Sequence, residues 1–316
     1  MKRLFLAVLA AAVAPWTAGS AAAAYPDEPI RIIVPFGPGD AIDGTARVIA
    51  DRMKAELKAP VVVQNVPGAG GGVGTAEANR AKKDGYTLLM GSTGALTARP
   101  IIGKAGYETA DFVPIAQLVE VPIGLAVAAN SPYKSVKELV EAAKTKTVTY
   151  STPGPGSTQH INMSRFAQEN GLQLTHVGGR GGKGAVTKAL TGEVDFVFVG
   201  ASNYTSLAKA GTLRVLAVAA PKRVPYLADV PTFRDEGYDL DAAVWFGLLV
   251  NAGTPADRVA KLRSVVDEIA REEETLKLYD RLNFTPAYLD ATAFQRQIER
   301  NVEVHKKVLR DLGMVK

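Results

Sequence analysis

Ile32-Ile33-Val34-Pro35-Phe36-Gly37-Pro38-Gly39-Asp40-Ala41-Ile42-Asp43-Gly44 joins an apolar strand to a helix through a turn rich in glycine and proline. Residues 31–36 read as a short buried strand. Apolar positions then recur at Ile42, Ala46, Ile49, Ala50, Met53 and Leu57, the spacing of one helix face. Glycine lets the backbone come close to a ligand, and the first N–H groups of a helix have no partner inside it. An anion at the end of the strand would satisfy them. For this loop taken alone, a tight turn of an α/β domain without a ligand is the competing reading.

The same arrangement recurs. Pro60-Val61-Val62-Val63-Gln64-Asn65 is a β-branched strand that ends in Pro67-Gly68-Ala69-Gly70-Gly71-Gly72-Val73-Gly74, and Tyr86-Thr87-Leu88-Leu89-Met90 ends in Gly91-Ser92-Thr93-Gly94. Strands alternating with helices predict a parallel sheet whose carboxyl edge binds ligands, so these three small-residue exits are expected to converge. Near Phe112 the alternation stops: residues 112–119 and 121–129 are two strand-like runs with no helix between them, which predicts a passage into a second domain. There a strand ending at Ser151 leads into Thr152-Pro153-Gly154-Pro155-Gly156-Ser157-Thr158. A strand over 172–177 leads into Gly178-Gly179-Arg180-Gly181-Gly182-Lys183-Gly184, so the second domain repeats the first. Residues 242–250, with Trp245 near the middle, are long enough to run back. The remainder is expected to be helical, with buried stripes at Val259, Leu262, Val265, Val266 and Ile269 and at Phe294, Ile298, Val302, Val308 and Leu309. Two crossings between similar lobes describe a hinged pair with a cleft.

A chain of 316 residues suits two domains, and 47% hydrophobic with 22% charged residues describes a globular protein. Lys2 and Arg3 precede an apolar run over 4–14, and Ala22-Ala23-Ala24 supplies small residues before Tyr25, so residues 1–24 are expected to be a cleavable signal peptide. No later stretch approaches the ~18 apolar residues of a membrane helix. The absence of cysteine excludes a lipid-anchored lipoprotein, disulfides, thiol nucleophiles and cysteine metal sites. Release into a periplasm is therefore expected. The net charge of +5 falls to +3 without Lys2 and Arg3 and is spread along the chain, so nucleic acid is not expected as a partner.

Gly179-Arg180-Gly181-Gly182-Lys183-Gly184 fits G-x-G-x-x-G between a strand and a helix, yet the next strand ends in Val199-Gly200 without the acid that would hold a ribose. Ser131/Lys134 and Ser206/Lys209 match S-x-x-K in unrelated settings, and no G-x-S-x-G occurs. His160, His176 and His305 lack a ligand-spaced neighbour, although the first two lie near second-domain loops where a ligand contact is open to them. No catalytic residue, metal ligand or cofactor is expected.

Ordered along the chain, these segments resemble the periplasmic solute-binding receptors of tripartite tricarboxylate transporters, the Bug family. The resemblance rests on Tyr25-Pro26-Asp27-Glu28-Pro29-Ile30, Val34-Pro35-Phe36-Gly37-Pro38-Gly39 with Asp43 and Ala46-Arg47, Asn65-Val66-Pro67-Gly68-Ala69-Gly70-Gly71, and Asp84-Gly85-Tyr86-Thr87-Leu88-Leu89. Ser135-Val136-Lys137-Glu138-Leu139, Thr175-His176-Val177, Asp229-Val230-Pro231-Thr232 and Trp245-Phe246-Gly247-Leu248-Leu249 continue it. The family implies an α/β periplasmic-binding-protein (Venus flytrap) fold of two lobes, each a mostly parallel sheet flanked by helices, joined by two crossing strands. Domain I would take 25–126 and 250–316, and domain II 127–249. The function implied is capture of a small organic carboxylate for membrane permease subunits, by a monomer without catalytic activity. A sensing subunit of a signalling system and a secreted hydrolase on the same scaffold are the alternatives.

The family is thought to grip a carboxylate with backbone amides and water on the loops that correspond to 36–43 and 67–73. With the other strand exits, ligand contacts are expected from Phe36, Gly37, Gly39, Asp40, Ala41, Ile42, Asp43, Gly68, Ala69, Gly70, Gly71, Ser92 and Thr93 in the first lobe. Ser151, Pro155, Gly156, Ser157, Thr158, Arg180, Gly181 and Val199 are expected from the second. Where the family usually has Gly-Gly-Thr this chain has Asp40-Ala41-Ile42, adding an acid and a bulky apolar group. Asp40 is expected either to cap the helix or to face a donor on the ligand. Pro-Tyr-Lys-Gly is replaced by Gly178-Gly179-Arg180-Gly181, and an aspartate by Val199. A guanidinium on a glycine loop suits bidentate capture, so a ligand with two anionic ends, the second held by Arg180 or Lys183, is expected, against solvated cations as the alternative.

Overall fold

A computed structural model describes residues 25–103, 105–240, 242–282 and 284–315; the expected signal peptide lies outside the described residues. The strands are β1 (Ile30–Val34), β2 (Val61–Asn65), β3 (Thr87–Ser92), β4 (Phe112–Ala128), β5 (Val148–Thr152), β6 (Leu174–Gly178), β7 (Phe196–Gly200), β8 (Leu213–Ala219), β9 (Ala243–Asn251) and β10 (Thr285–Asp290). The helices are α1 (Ala41–Leu57), α2 (Gly72–Arg80), α3 (Thr93–Thr97), α4 (Arg99–Ile102), α5 (Val136–Thr145), α6 (Thr158–Glu169), α7 (Gly182–Leu190), α8 (Thr205–Lys209), α9 (Ala256–Arg271), α10 (Glu273–Arg281) and α11 (Ala291–Asp311).

β1 lies between β2 and β3, parallel to both, and β5 lies between β6 and β7 in the same way. Each trio is the parallel half of one lobe. The lobes are joined by β4 and β9, which run antiparallel to each other; β9 also pairs with β3, while the far half of β4 pairs with β7 and β8. The two runs expected at 112–119 and 121–129 are thus one 17-residue strand. At ~3.3 Å per residue it is roughly 55 Å long, enough to serve both sheets. Glu120, which interrupts the apolar pattern, sits in register between Trp245 and Thr285. The ladder slips after Pro114, where the ring removes a backbone donor, and again after Gln117, so bulges bend the strand between lobes.

The apolar face of α1 is buried as its spacing predicts, with Ala46, Ile49 and Met53 fully enclosed, and α9 buries Leu262, Val266 and Ile269. The C-terminal region is not all helical as expected. β10 pairs antiparallel with β4, a half-exposed edge strand containing Pro286 whose sequence has no alternating pattern to reveal it.

Candidate ligand-binding site

Six parallel strands, three from each lobe, end on the same cleft, and their exits close against one another. A Cβ built on Gly70 (φ +64°) would come within 2.5 Å of the Pro155 carbonyl, and one on Gly94 within 2.5 Å of the Thr158 nitrogen. Both contacts cross between lobes. Only residues without side chains permit this approach.

Between these contacts is a cavity lined by Phe36, Asp40, Ala41, Ile42, Gly70, Ser92, Gly94, Ala95, Val121, Pro153, Ser157, Thr158, Gln159, Gly182, Gly200, Asn203, Val244 and Phe246. It offers about 40 Å³ to the centre of a water-sized sphere. Among the described residues, Asp40 is the single ionisable side chain on this wall. Two long helices from opposite lobes start here. In α1 the first backbone bond is Gly44 N–H to Asp40 carbonyl (3.0 Å), which leaves the N–H groups of Ala41 and Ile42 unpaired inside the helix. In α6 the Ser157 hydroxyl accepts from His160 N–H (3.3 Å), leaving those of Thr158 and Gln159 free of an intrahelical partner. The partial positive charge of both helix ends therefore falls on one space.

Two aspartates in the first loop have opposite surroundings. Asp43 accepts from Gly39 N–H (2.7 Å), from Arg47 (2.9 Å to each oxygen) and from Asn65 Nδ2 (2.9 Å). Burial by itself would raise its pKa, but these donors together hold it below the usual carboxylate range. Asn65 also donates to the Phe36 carbonyl (3.1 Å), so the end of β2 fixes the end of β1. Asp40 occupies the N-cap position of α1 without capping it. Its carboxylate instead crosses the cleft to the start of α7, accepting from Lys183 N–H (3.2 Å) and drawn also by Gly182 N–H. Burial is the larger effect and pushes its pKa up to about 6.

Of the expected contact residues, Phe36, Asp40, Ala41, Ile42, Gly70, Ser92, Ser157 and Thr158 stand on the cavity wall. Gly68, Ala69, Gly71, Pro155, Arg180 and Gly181 line an adjoining groove of about 370 Å³, which shares Phe36, Gly70 and Pro153 with the cavity. Neither Arg180 nor Lys183 is on the cavity wall. Both are exposed residues, Arg180 on the second-lobe loop and Lys183 in the first turn of α7. Gly39 and Asp43 bond to each other, and Gly37 lies beside Asp40 and the Arg180 carbonyl. Thr93 turns its hydroxyl to Trp245 N–H (3.0 Å), Gly156 donates to His160 Nδ1 (3.2 Å), Val199 pairs with β4, and Ser151 is fully buried. His160 and His176 stack with centroids 4.1 Å apart, away from the cavity wall, and Thr152 holds His176 at 2.8 Å. Gly94, Ala95, Pro153, Gln159, Gly182, Gly200, Asn203, Val121, Val244 and Phe246 are wall residues outside the expected set. The last two follow from the far face of β9: Trp245 donates to Asn301 and packs on Phe294, so its neighbours in the strand face the other side, a direction that these tertiary contacts set.

The profile of TctC, the tripartite tricarboxylate transporter family receptor, matches residues 45–314. BugT of Bordetella pertussis is 30% identical over 325 residues, covering 99% of this chain and 98% of BugT. Among solved structures, R. palustris Rpa4515 with adipate superposes with a TM-score of 0.86 at 26% identity, covering 92% of this chain and 98% of the other. MatC from Rhodopseudomonas palustris with bound malate gives 0.81 at 25%, covering 90% and 100%. Among the described residues no helix is long and apolar enough to cross a membrane. The chain belongs to the tripartite tricarboxylate transporter family of receptors, the group that includes the Bug proteins.

Proposed function

We propose that this receptor captures a small organic carboxylate in the cavity between its lobes, in the periplasm, and delivers it as a non-catalytic monomer to the permease of a tripartite tricarboxylate transporter. The observation that carries the reading is the convergence of the α1 and α6 N-termini from opposite lobes on a cavity without a cationic side chain. Such a site favours an anion through backbone N–H groups. Adipate in Rpa4515 and malate in MatC, both carboxylates, support the same ligand class. The cavity is narrow and the lobes touch on both sides of it, so entry requires them to part and capture is their closure. The two-ended ligand expected from Arg180 would have to extend from the cavity into the adjoining groove.

Thermal unfolding of the chain from Tyr25, against mono-, di- and tricarboxylates, aromatic acids and amino acids, tests this. A true ligand at 100 times its dissociation constant adds about 2.7 kcal/mol, a rise of several degrees. The corresponding neutral amide should add nothing. A panel in which no acid raises the transition would end the carboxylate reading.

A further inference from the structure

On the carboxylate-receptor reading, the wall of the cavity also carries information about how many charges its ligand has. We propose that the cavity takes a small monocarboxylate with a hydrocarbon body, and that Asp40 acts as the specificity residue that turns dicarboxylates away. The donors for one carboxylate are the unpaired backbone N–H groups at the starts of α1 and α6, joined at α6 by Thr158 Oγ1, which has no hydrogen-bond partner in a residue only 4% exposed. A buried hydroxyl without a partner is costly unless something occupies the space beside it.

Elsewhere the wall is mostly apolar, with Phe36, Ile42, Val244 and Phe246 prominent; Ser92 and Asn203 are neutral polar residues on it, and Asp40 is its charged one. The Asp40 side chain is buried, at 7% exposure, and its charge is spoken for by the α7 N-terminus. Lys183 meets it from outside the cavity, with its ammonium over Gly39, and Asp43 adds a second negative charge behind the loop. Among the described residues no cationic side chain is on the cavity wall to balance a second ligand charge. A second carboxylate would be stripped of water and placed in the field of Asp40. The Ala41 and Ile42 side chains add hydrocarbon to the wall beside Asp40.

The test is calorimetric titration at pH 7.5 of the chain from Tyr25 with butanoate and pentanoate against succinate and glutarate, for the wild type and Asp40→Asn. The asparagine keeps an oxygen for Lys183 N–H and removes the charge. The wild type should bind the monoacids at least about tenfold more tightly than the diacids of equal length, and the variant should narrow that gap at least about fivefold. Diacids binding as well as or better than monoacids in the wild type would overturn the inference while leaving the carboxylate receptor standing. A gap that Asp40→Asn leaves unchanged would remove Asp40 from it. Failure of all four acids would overturn this inference, and the receptor reading on which it rests would fall only if the wider acid panel failed in the thermal assay as well.

Discussion

On the first-lobe side of the cleft, the loop between β1 and α1 carries its own anchor: Asp43, tied to Gly39, Arg47 and Asn65, all within the same lobe. The facing loop between β6 and α7 has glycine at the N-cap of its helix and no side-chain cap of its own. It receives one only from Asp40, across the cleft. The first lobe therefore presents a site whose geometry is independent of closure, and the second lobe's edge is completed by closing. This division explains why two aspartates three residues apart have pKa values displaced in opposite directions. One serves folding of a loop, and the other serves contact between lobes.

The largest effect is expected from breaking the first-lobe anchor. Asp43→Ala leaves the Gly39 N–H without its acceptor and strips Asn65 and Arg47 of their shared carboxylate, and should cost about 2–3 kcal/mol of stability in urea unfolding, with loss of ligand binding. Asp40→Ala in the same assay should change stability by no more than about 1 kcal/mol, because a cap is lost while a buried charge is relieved. Equal costs would erase the distinction between the loops.

Next in size is a wedge between the lobes. Gly94 lies in α3 without a left-handed φ, so Gly94→Ala is tolerated by its own helix, yet its methyl would meet the Thr158 nitrogen at 2.5 Å. Affinity for the ligand should fall about tenfold or more while the ligand-free melting temperature moves little. Small-angle scattering should show a chain that no longer compacts on ligand addition. Undiminished affinity would mean that the closed contact is not the binding state.

The smallest effect is in pH dependence. The pKa of Asp40 is raised to about 6 by burial, so the folded chain binds this proton more readily than the unfolded one. Its contribution to stability therefore improves as pH falls from 7.5 to 5, by about 1 kcal/mol relative to Asp40→Asn. His176 and His305, held at about 4 by burial, act in the opposite sense, losing stability as pH falls from about 6.5 towards 4. They are common to both proteins, and the wild type minus variant difference isolates Asp40. A difference that does not vary with pH would place Asp40 in solvent.

Local pattern made much of this architecture legible. Helix periodicity identified the buried faces of α1 and α9, and Ser135 caps α5 by accepting from Glu138 N–H (3.1 Å), as its spacing with Glu138 predicts. Five of the six strand exits followed from alternation of strand and helix; the one after β7 was not read as a ligand loop. Other features were hidden. Glu120 made one long strand look like two, since a charge in an apolar run reads as an end unless its partners on both sides are known. β10 is defined by pairing with β4 more than by its own residues.

The amino-acid sequence by itself determined where strands give way to helices, and hence that each exit would present unpaired N–H groups to an anion, because those are consequences of neighbours in the chain. It also determined that the loops would lack bulk, because glycine has no side chain in any fold. Which groups meet across the cleft was decided by tertiary structure alone. Asp40 and Lys183 are 143 positions apart, and nothing in the local pattern of either could specify the other. The direction of Asp40, the exclusion of Arg180 from the cavity wall and the inward turn of Phe246 all depend on how two independently patterned lobes close, which is set by the sum of contacts between them.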